Sequence, residues 1–266
     1  MADYLLLVDD LEAEEANLDA LVAPLDETRW RAPTPATGWD IRDSIAHLGW
    51  SEELANSALH HVGDFERRLS ELAGAIDRAG NVMVARGRSM TGADVLAWWR
   101  DVRARTITGL RARDAKERIP WIAGPMSAMS FATARLMETW AHGQDVADAL
   151  AVERAPTERL RHVADLGVRT RRFAYAARGR DLPDGDVRVE LEGPGGTRWT
   201  WGESTTDVVR GPAIEFCLVT TQRRNPADTR LEVTGALARE WIAIAQAFAG
   251  PPTEHRAARG TEAALP

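Results

Sequence analysis

"METWAHGQDVADAL", residues 137–150, decides how the first half of the chain is read. Steps of three and four return to one side of an α-helix, so Phe131, Arg135, Glu138, His142, Asp145 and Ala149 share a face. Leu136, Trp140, Val146 and Leu150 flank that face with packing surface. A polar stripe bordered by apolar residues suggests a lined cavity. Glu138 and His142, four residues apart, can aim a carboxylate oxygen and an imidazole nitrogen at one metal ion, as the histidines of helical HExxH sites do. By spacing alone, a surface ion pair is the alternative.

A second stretch, "GWDIRDSIAHLGWSEELANSALHH" at 38–61, opens with Asp40 as a capping residue and reads as a helix to about residue 62. His47 shares its face with Asp40, Ser44, Ser51, Leu54 and Ala58, while Ile41, Ile45 and Leu48 lie on the apolar side. Added to Glu138 and His142, His47 completes a His₂Glu set with a fourth position open, the catalytic rather than the structural zinc arrangement.

Working outward, apolar spacing predicts a helix over 3–23, a short helix in 64–79, a helix opened by Thr91 and Asp94 and running to about 115, the helix 128–150, and a fifth over 157–179. "RWRAPTPATG" and "ERIPWIAGPM" read as loops. Four long helices fit a bundle, whose inward faces suit a site. At "GRDLPDGDVRVELEGPGGTRWTWGE" the period falls to two, and "GPGG" supplies a hairpin turn. A helix at "GPAIEFCLVTTQR", a strand at "TRLEVTG" and a helix "ALAREWIAIAQAFAG" ending at Gly250 follow. The expected organisation is a helical domain over 1–180, a small α+β domain over 181–250 and a disordered tail over 251–266.

"TGWDIRDSIAHLGWSEELA", followed about 90 residues later by "METWAHGQDVADAL", resembles the mycothiol-dependent maleylpyruvate isomerase family, part of the DinB-like group of four-helix metalloproteins. The resemblance implies an N-terminal DinB-like four-helix bundle followed by a small α/β domain of the sterol-carrier type. Carried over by position, it implies His47, Glu138 and His142 as metal ligands, the set already suggested by the helical faces. It also implies mycothiol as thiol cosubstrate, adding to an unsaturated diacid and leaving after bond rotation.

Two neutral imidazoles and one carboxylate leave a zinc site with a net charge of about +1, which favours an anionic ligand such as a thiolate. Coordination lowers a thiol's pKa, so no protein cysteine is needed as nucleophile. The same activation serves isomerisation or S-transfer, and a metal-dependent protein that only binds a small ligand is the non-catalytic alternative. Nickel or iron would also suit a mixed N/O site. Asp145 is the expected partner of a ligand histidine or of a metal-bound water, with a solvated carboxylate at the helix end as the alternative. Arg135 could hold Glu138 or meet an anion, or lie exposed. Arg223 and Arg224, in "TTQRRNPADT", are the expected carboxylate binders, with an exposed basic turn as the alternative. Trp39, Trp98 and Trp99 could line the pocket or pack. His60, His61, His162 and His255 have no partner at ligand spacing and read as surface residues.

The chain has 266 residues, 44% hydrophobic and 27% charged, an ordinary globular composition. A net charge of −7 argues against a nucleic-acid surface. The single cysteine, Cys217, lies in the apolar run "AIEFCLV" and reads as a buried, inert thiol; it excludes an intrachain disulfide. The first residues lack the basic n-region of a signal peptide, and no run approaches the roughly 18 apolar residues of a membrane span. A cytoplasmic protein acting on a small molecule is expected.

Overall fold

The computed structural model describes residues 2–73, 79–122 and 124–259. The chain separates into two compact units, Met1–Arg154 and Ala155–Pro266.

In the first unit, α1 (Ala2–Val22) is followed by a short α2 (Glu27–Trp30), and α3 spans Ile41–His60. Asp40 caps α3 as expected: its side chain accepts the Asp43 N–H at 2.7 Å. Then come α4 (Val62–Ala73), α5 (Ala79–Arg88), α6 (Gly92–Arg111) and α7 (Ala128–Leu150). Thr91 accepts the Asp94 N–H and starts α6, while Ser127 does the same for α7 through Ser130. The short helix expected in 64–79 is α4; residues 74–78 lie outside the described residues. The loop expected at 117–126 contains a two-residue ladder, β1 (Arg118–Ile119) antiparallel to β2 (Met126–Ser127).

The four long helices form the bundle. α3 packs on α6 and α7, and α1 packs on α7 and α6, so each has two neighbours around one interior. Apolar side chains fill much of it: Leu18, Ile41, Ile45, Val95, Trp99 and Val146 belong to one buried cluster. α5 approaches α3 closely because Gly87 has no side chain; a Cβ there would sit 2.3 Å from that of Ala46.

The second unit begins 26 residues earlier than the expected boundary near 181. α8 (Leu160–Arg169) and α9 (Arg171–Ala176) replace the single helix expected over 157–179. They part at Thr170, whose hydroxyl donates back to the carbonyls of Leu166 and Gly167 at 2.9 and 3.1 Å and competes with continuation of the helix. α8 packs on α10 (Ala213–Thr220), so this segment belongs with the sheet and not with the bundle.

The sheet has strand order β4 (Arg198–Trp201), β3 (Arg188–Glu192), β5 (Val208–Pro212), β6 (Glu232–Thr234). β3 and β4 form the expected hairpin, with Leu191 opposite Trp199 and Val189 opposite Trp201. β5 runs parallel to β3, and β6 runs antiparallel to β5. Alternation puts Val187, Val189 and Leu191 inside and their charged neighbours outside.

α11 (Ala236–Ile244) ends six residues before Gly250, because the Ala247 N–H turns away to the Thr220 carbonyl at 2.8 Å. The tail expected to be disordered is tied down through residue 259. Thr253 donates to Gln222 at 2.6 Å, the His255 ring meets the Ile242 carbonyl at 2.9 Å, and the Arg259 N–H reaches Asp228 at 3.0 Å. Residues 260–266 lie outside the described residues.

Candidate metal centre

α3 and α7 bring His47, Glu138 and His142 together, with one ligand atom from each within 4.8 Å of the other two. The two imidazole Nε2 atoms converge on one carboxylate oxygen: His142 Nε2 lies 3.6 Å and His47 Nε2 3.9 Å from Glu138 Oε2. Those separations exceed a good hydrogen bond. They suit donors arranged around a shared ion that binds each at about 2.0–2.2 Å. The donor set is also chemically apt, with two nitrogens and one carboxylate oxygen.

Electrostatics keep these groups in the form a metal needs. Burial pushes the His47 pKa down to about 4, against the opposing pull of Glu138, so the imidazole is neutral near pH 7. Burial pushes the Glu138 carboxyl up, but the two imidazoles and the Arg135 charge outweigh it and hold the group well below the usual range. A neutral His47 beside an ionised Glu138 is what divalent-metal binding requires.

Asp145, fully buried, places Oδ2 3.5 Å from His142 Nδ1, in position to orient that ring from behind. Among the described residues, the buried Nδ1 of His47 has no hydrogen-bond partner. Trp39, on the loop leading into α3, stacks on His142 at 5.8 Å with 19° between planes and tilts against His47 at 5.3 Å. The rings of His47 and His142 are 4.6 Å apart, so an indole and two imidazoles wall the site.

The other expected site residues have the following surroundings. Trp98 and Trp99 are packing residues, each under an arginine, Arg86 and Arg103, at 4.2 Å. Arg135 is no exposed residue; at 4% exposure it donates to Ser51 and faces Glu52 at 3.7 Å. Arg223 and Arg224 follow α10 in the second unit, where Arg223 Nη1 donates to the Thr221 carbonyl at 2.7 Å and Arg224 Nη1 to the Arg223 carbonyl at 2.9 Å. His60 and His61 are exposed, as expected, whereas His255 is half-buried, and burial lowers its pKa. Cys217 is fully buried, with burial raising its thiol pKa, so it is no nucleophile.

Two buried carboxylates escape a reading that looks only for ligand spacing, Glu15 and Glu52, at 2% and 1% exposure. The signal was present. On α1, positions 4, 8, 11, 15, 18 and 22 step by four and three, and every one except Glu15 is apolar. On α3, positions 41, 45, 48, 52, 55 and 59 do the same, with Glu52 as the exception. A carboxylate in an otherwise unbroken core stripe marks a buried polar partner.

A family model described as the mycothiol maleylpyruvate isomerase N-terminal domain matches residues 11–147. The chain belongs to that family. The metal triad's positions, 47, 138 and 142, all fall inside the matched segment. An uncharacterized protein of Mycobacterium tuberculosis, found in strains H37Rv and CDC 1551 / Oshkosh, is 44% identical over 261 residues, covering 96% of this chain and all of the relative. The fold resembles the crystal structure of the mycothiol-dependent maleylpyruvate isomerase, with a TM-score of 0.56 at 15% identity over 82% of this chain and 88% of that one. A histidine-to-alanine mutant of that isomerase matches with a TM-score of 0.54 at 14% identity over the same shares. This maleylpyruvate isomerase family member thus pairs a helical N-terminal domain with a small sheet-containing C-terminal part. No helix among its described residues is long and apolar enough to cross a membrane.

Proposed function

We propose that this protein is a metal-dependent enzyme, with zinc as the resident ion, that uses a low-molecular-weight thiol, mycothiol, on an electrophilic and acidic small molecule, as an isomerase or an S-transferase. One observation carries the reading: His47, Glu138 and His142 converge from two helices with their ligand atoms within 4.8 Å. When bound, the ion supplies Lewis-acid activation of the thiol.

The chain's own residues supply the rest. His47 stays a neutral donor and Glu138 stays ionised, the forms in which each can bind a cation. Asp145 fixes the ring of His142 from the side opposite Glu138. Trp39 closes one wall with an apolar face that excludes water from the imidazoles. Arg223 and Arg224 are assigned to substrate carboxylates, since a guanidinium fork pairs bidentately with them. Cys217 takes no part: its thiol is fully buried, 3.6 Å from the Leu160 carbonyl.

The test is elemental analysis of protein purified without chelators or a histidine tag. About one zinc per chain is expected in the wild type, and almost none in Glu138→Ala. Thiol-dependent conversion of an unsaturated diacid or another electrophile should then disappear with the metal. Wild-type protein that takes up no zinc overturns the whole reading. Stoichiometric zinc with no thiol-dependent turnover would leave a metal-dependent binding protein.

A further inference from the structure

Each long helix of the bundle contributes a buried polar side chain to one interacting group: Glu15 from α1, Glu52 from α3, Thr106 from α6 and Arg135 from α7. Their exposures are 2%, 1%, 0% and 4%. Asn56 stitches this group together, donating to the Val102 carbonyl at 2.9 Å and to the Thr106 hydroxyl at 3.1 Å. Glu52 lies five residues beyond His47, and Arg135 three before Glu138, so the group adjoins the metal triad along both ligand-bearing helices.

Arg135 is the pivot. It shares a helical face with Glu138, and its charge helps hold that carboxylate ionised. A guanidinium is also among the best partners a carboxylate has. Yet the ion-pair contacts of Glu138 run to His47 and His142, whereas those of Arg135 run to Glu52 at 3.7 Å, with a hydrogen bond to Ser51. The Trp121 ring, 5.2 Å from the guanidinium carbon, supports that orientation. The arginine is therefore turned toward α3.

We propose that Glu52 is a positioning residue for the metal centre: it holds the Arg135 guanidinium off Glu138, leaving that carboxylate open to a divalent cation. The proposal rests on reading His47, Glu138 and His142 as metal ligands. Burial pushes the carboxyls of both Glu15 and Glu52 up, and the Arg135 charge opposes the rise at each.

Zinc affinity, measured by competition with a chromogenic chelator, tests this on wild type, Glu52→Gln, Arg135→Gln and the double variant. Freed from Glu52, Arg135 competes for Glu138, so Glu52→Gln should bind zinc at least about 10-fold more weakly. Removing the competitor as well should restore affinity in the double variant to within about threefold of wild type. A purely structural Glu52 would not show that rescue at unchanged metal-free melting temperature. Unchanged affinity in Glu52→Gln, or a double variant weaker than the single one, overturns the proposal. Should Glu52→Gln fail to fold, Ser51→Ala loosens the same anchor and is expected to weaken zinc binding about two- to tenfold; no change there overturns it equally. A wild type without zinc would instead remove the metal reading itself.

Discussion

Among the described residues, the buried polar side chains of the helical unit include Glu14, Glu15, Glu52, Arg135, His142 and Asp145, while those of the second unit are Thr220, Thr221, Gln222 and Gln246. The second set is neutral, and each member has a backbone carbonyl as partner. Thr221 donates to Cys217 at 2.7 Å, Thr220 to the same carbonyl at 3.3 Å, Gln222 to Ala245 at 3.1 Å and Gln246 to Pro251 at 3.1 Å. Those bonds pin the end of α10 to the chain that follows α11. The first set adds ionisable groups to neutral ones such as Ser44, Thr133 and Gln144, and the ion pairs of Glu14, Arg135, His142 and Asp145 are with other side chains. Among the described residues, Glu15 Oε1 and Glu52 Oε2 have no hydrogen-bond partner.

Burying ionisable groups costs several kcal/mol unless they are paired or neutralised. A fold can satisfy its backbone with threonine and glutamine at far lower cost, as the second unit does. Carboxylates, imidazoles and a guanidinium inside the bundle include the three residues of the candidate metal centre and their neighbours. Their presence separates the unit that carries this centre from one whose buried polar groups are all neutral.

That contrast can be broken by measurement. The largest expected effect is at Glu15. Its pKa is raised in the folded state, so the folded chain keeps a proton that the unfolded chain releases. The stability it contributes is fully present below the ordinary carboxylate pKa and is lost as pH rises through the folded value. Glu15→Gln removes that loss and should raise stability at neutral pH by about 2 kcal/mol, with the gain shrinking toward acid pH. Urea unfolding at several pH values measures it; a destabilised variant at neutral pH would show that Glu15 is ionised and paired. Cys217→Ala, in the second unit, should cost about 1 kcal/mol through lost packing and leave thiol-dependent turnover unchanged. A loss of turnover at full stability would bring the thiol into the chemistry. Thr220→Val should shift stability by less than about 0.5 kcal/mol, since an apolar isostere replaces a neutral hydroxyl and the Cys217 carbonyl keeps Thr221. A larger loss by calorimetry would show that the second unit also depends on buried polarity.

Much of the helical unit was legible in the residues. Asp40, Thr91 and the 131–149 stripe gave the starts and faces of α3, α6 and α7, because caps and periodicity are local. The β3–β4 hairpin was legible for the same reason. One error was local, for the Thr170 hydroxyl split a helix that apolar spacing alone would continue. The others came where long-range contacts intervened, and α8 joined the sheet because its apolar side found α10. α11 stopped at Ile244 because Ala247 had a better partner in Thr220. Polar composition suggested a free tail after Gly250, yet Gln222 and Asp228 supply side-chain partners that hold it.

The sequence by itself determined that Glu138 and His142 share a direction, because i and i+4 on a helix fix the relative direction of two side chains wherever the helix is placed. It also determined that Glu15 and Glu52 stand in core stripes. Only the tertiary structure decided that His47 meets Glu138 and His142, that Trp39 stacks on His142, that Arg135 faces Glu52, and that Asp145 stands behind the imidazole. Periodicity gives the angle of a side chain about its own helix axis; which neighbour that angle meets depends on how helices distant in sequence pack, and no local pattern carries that information.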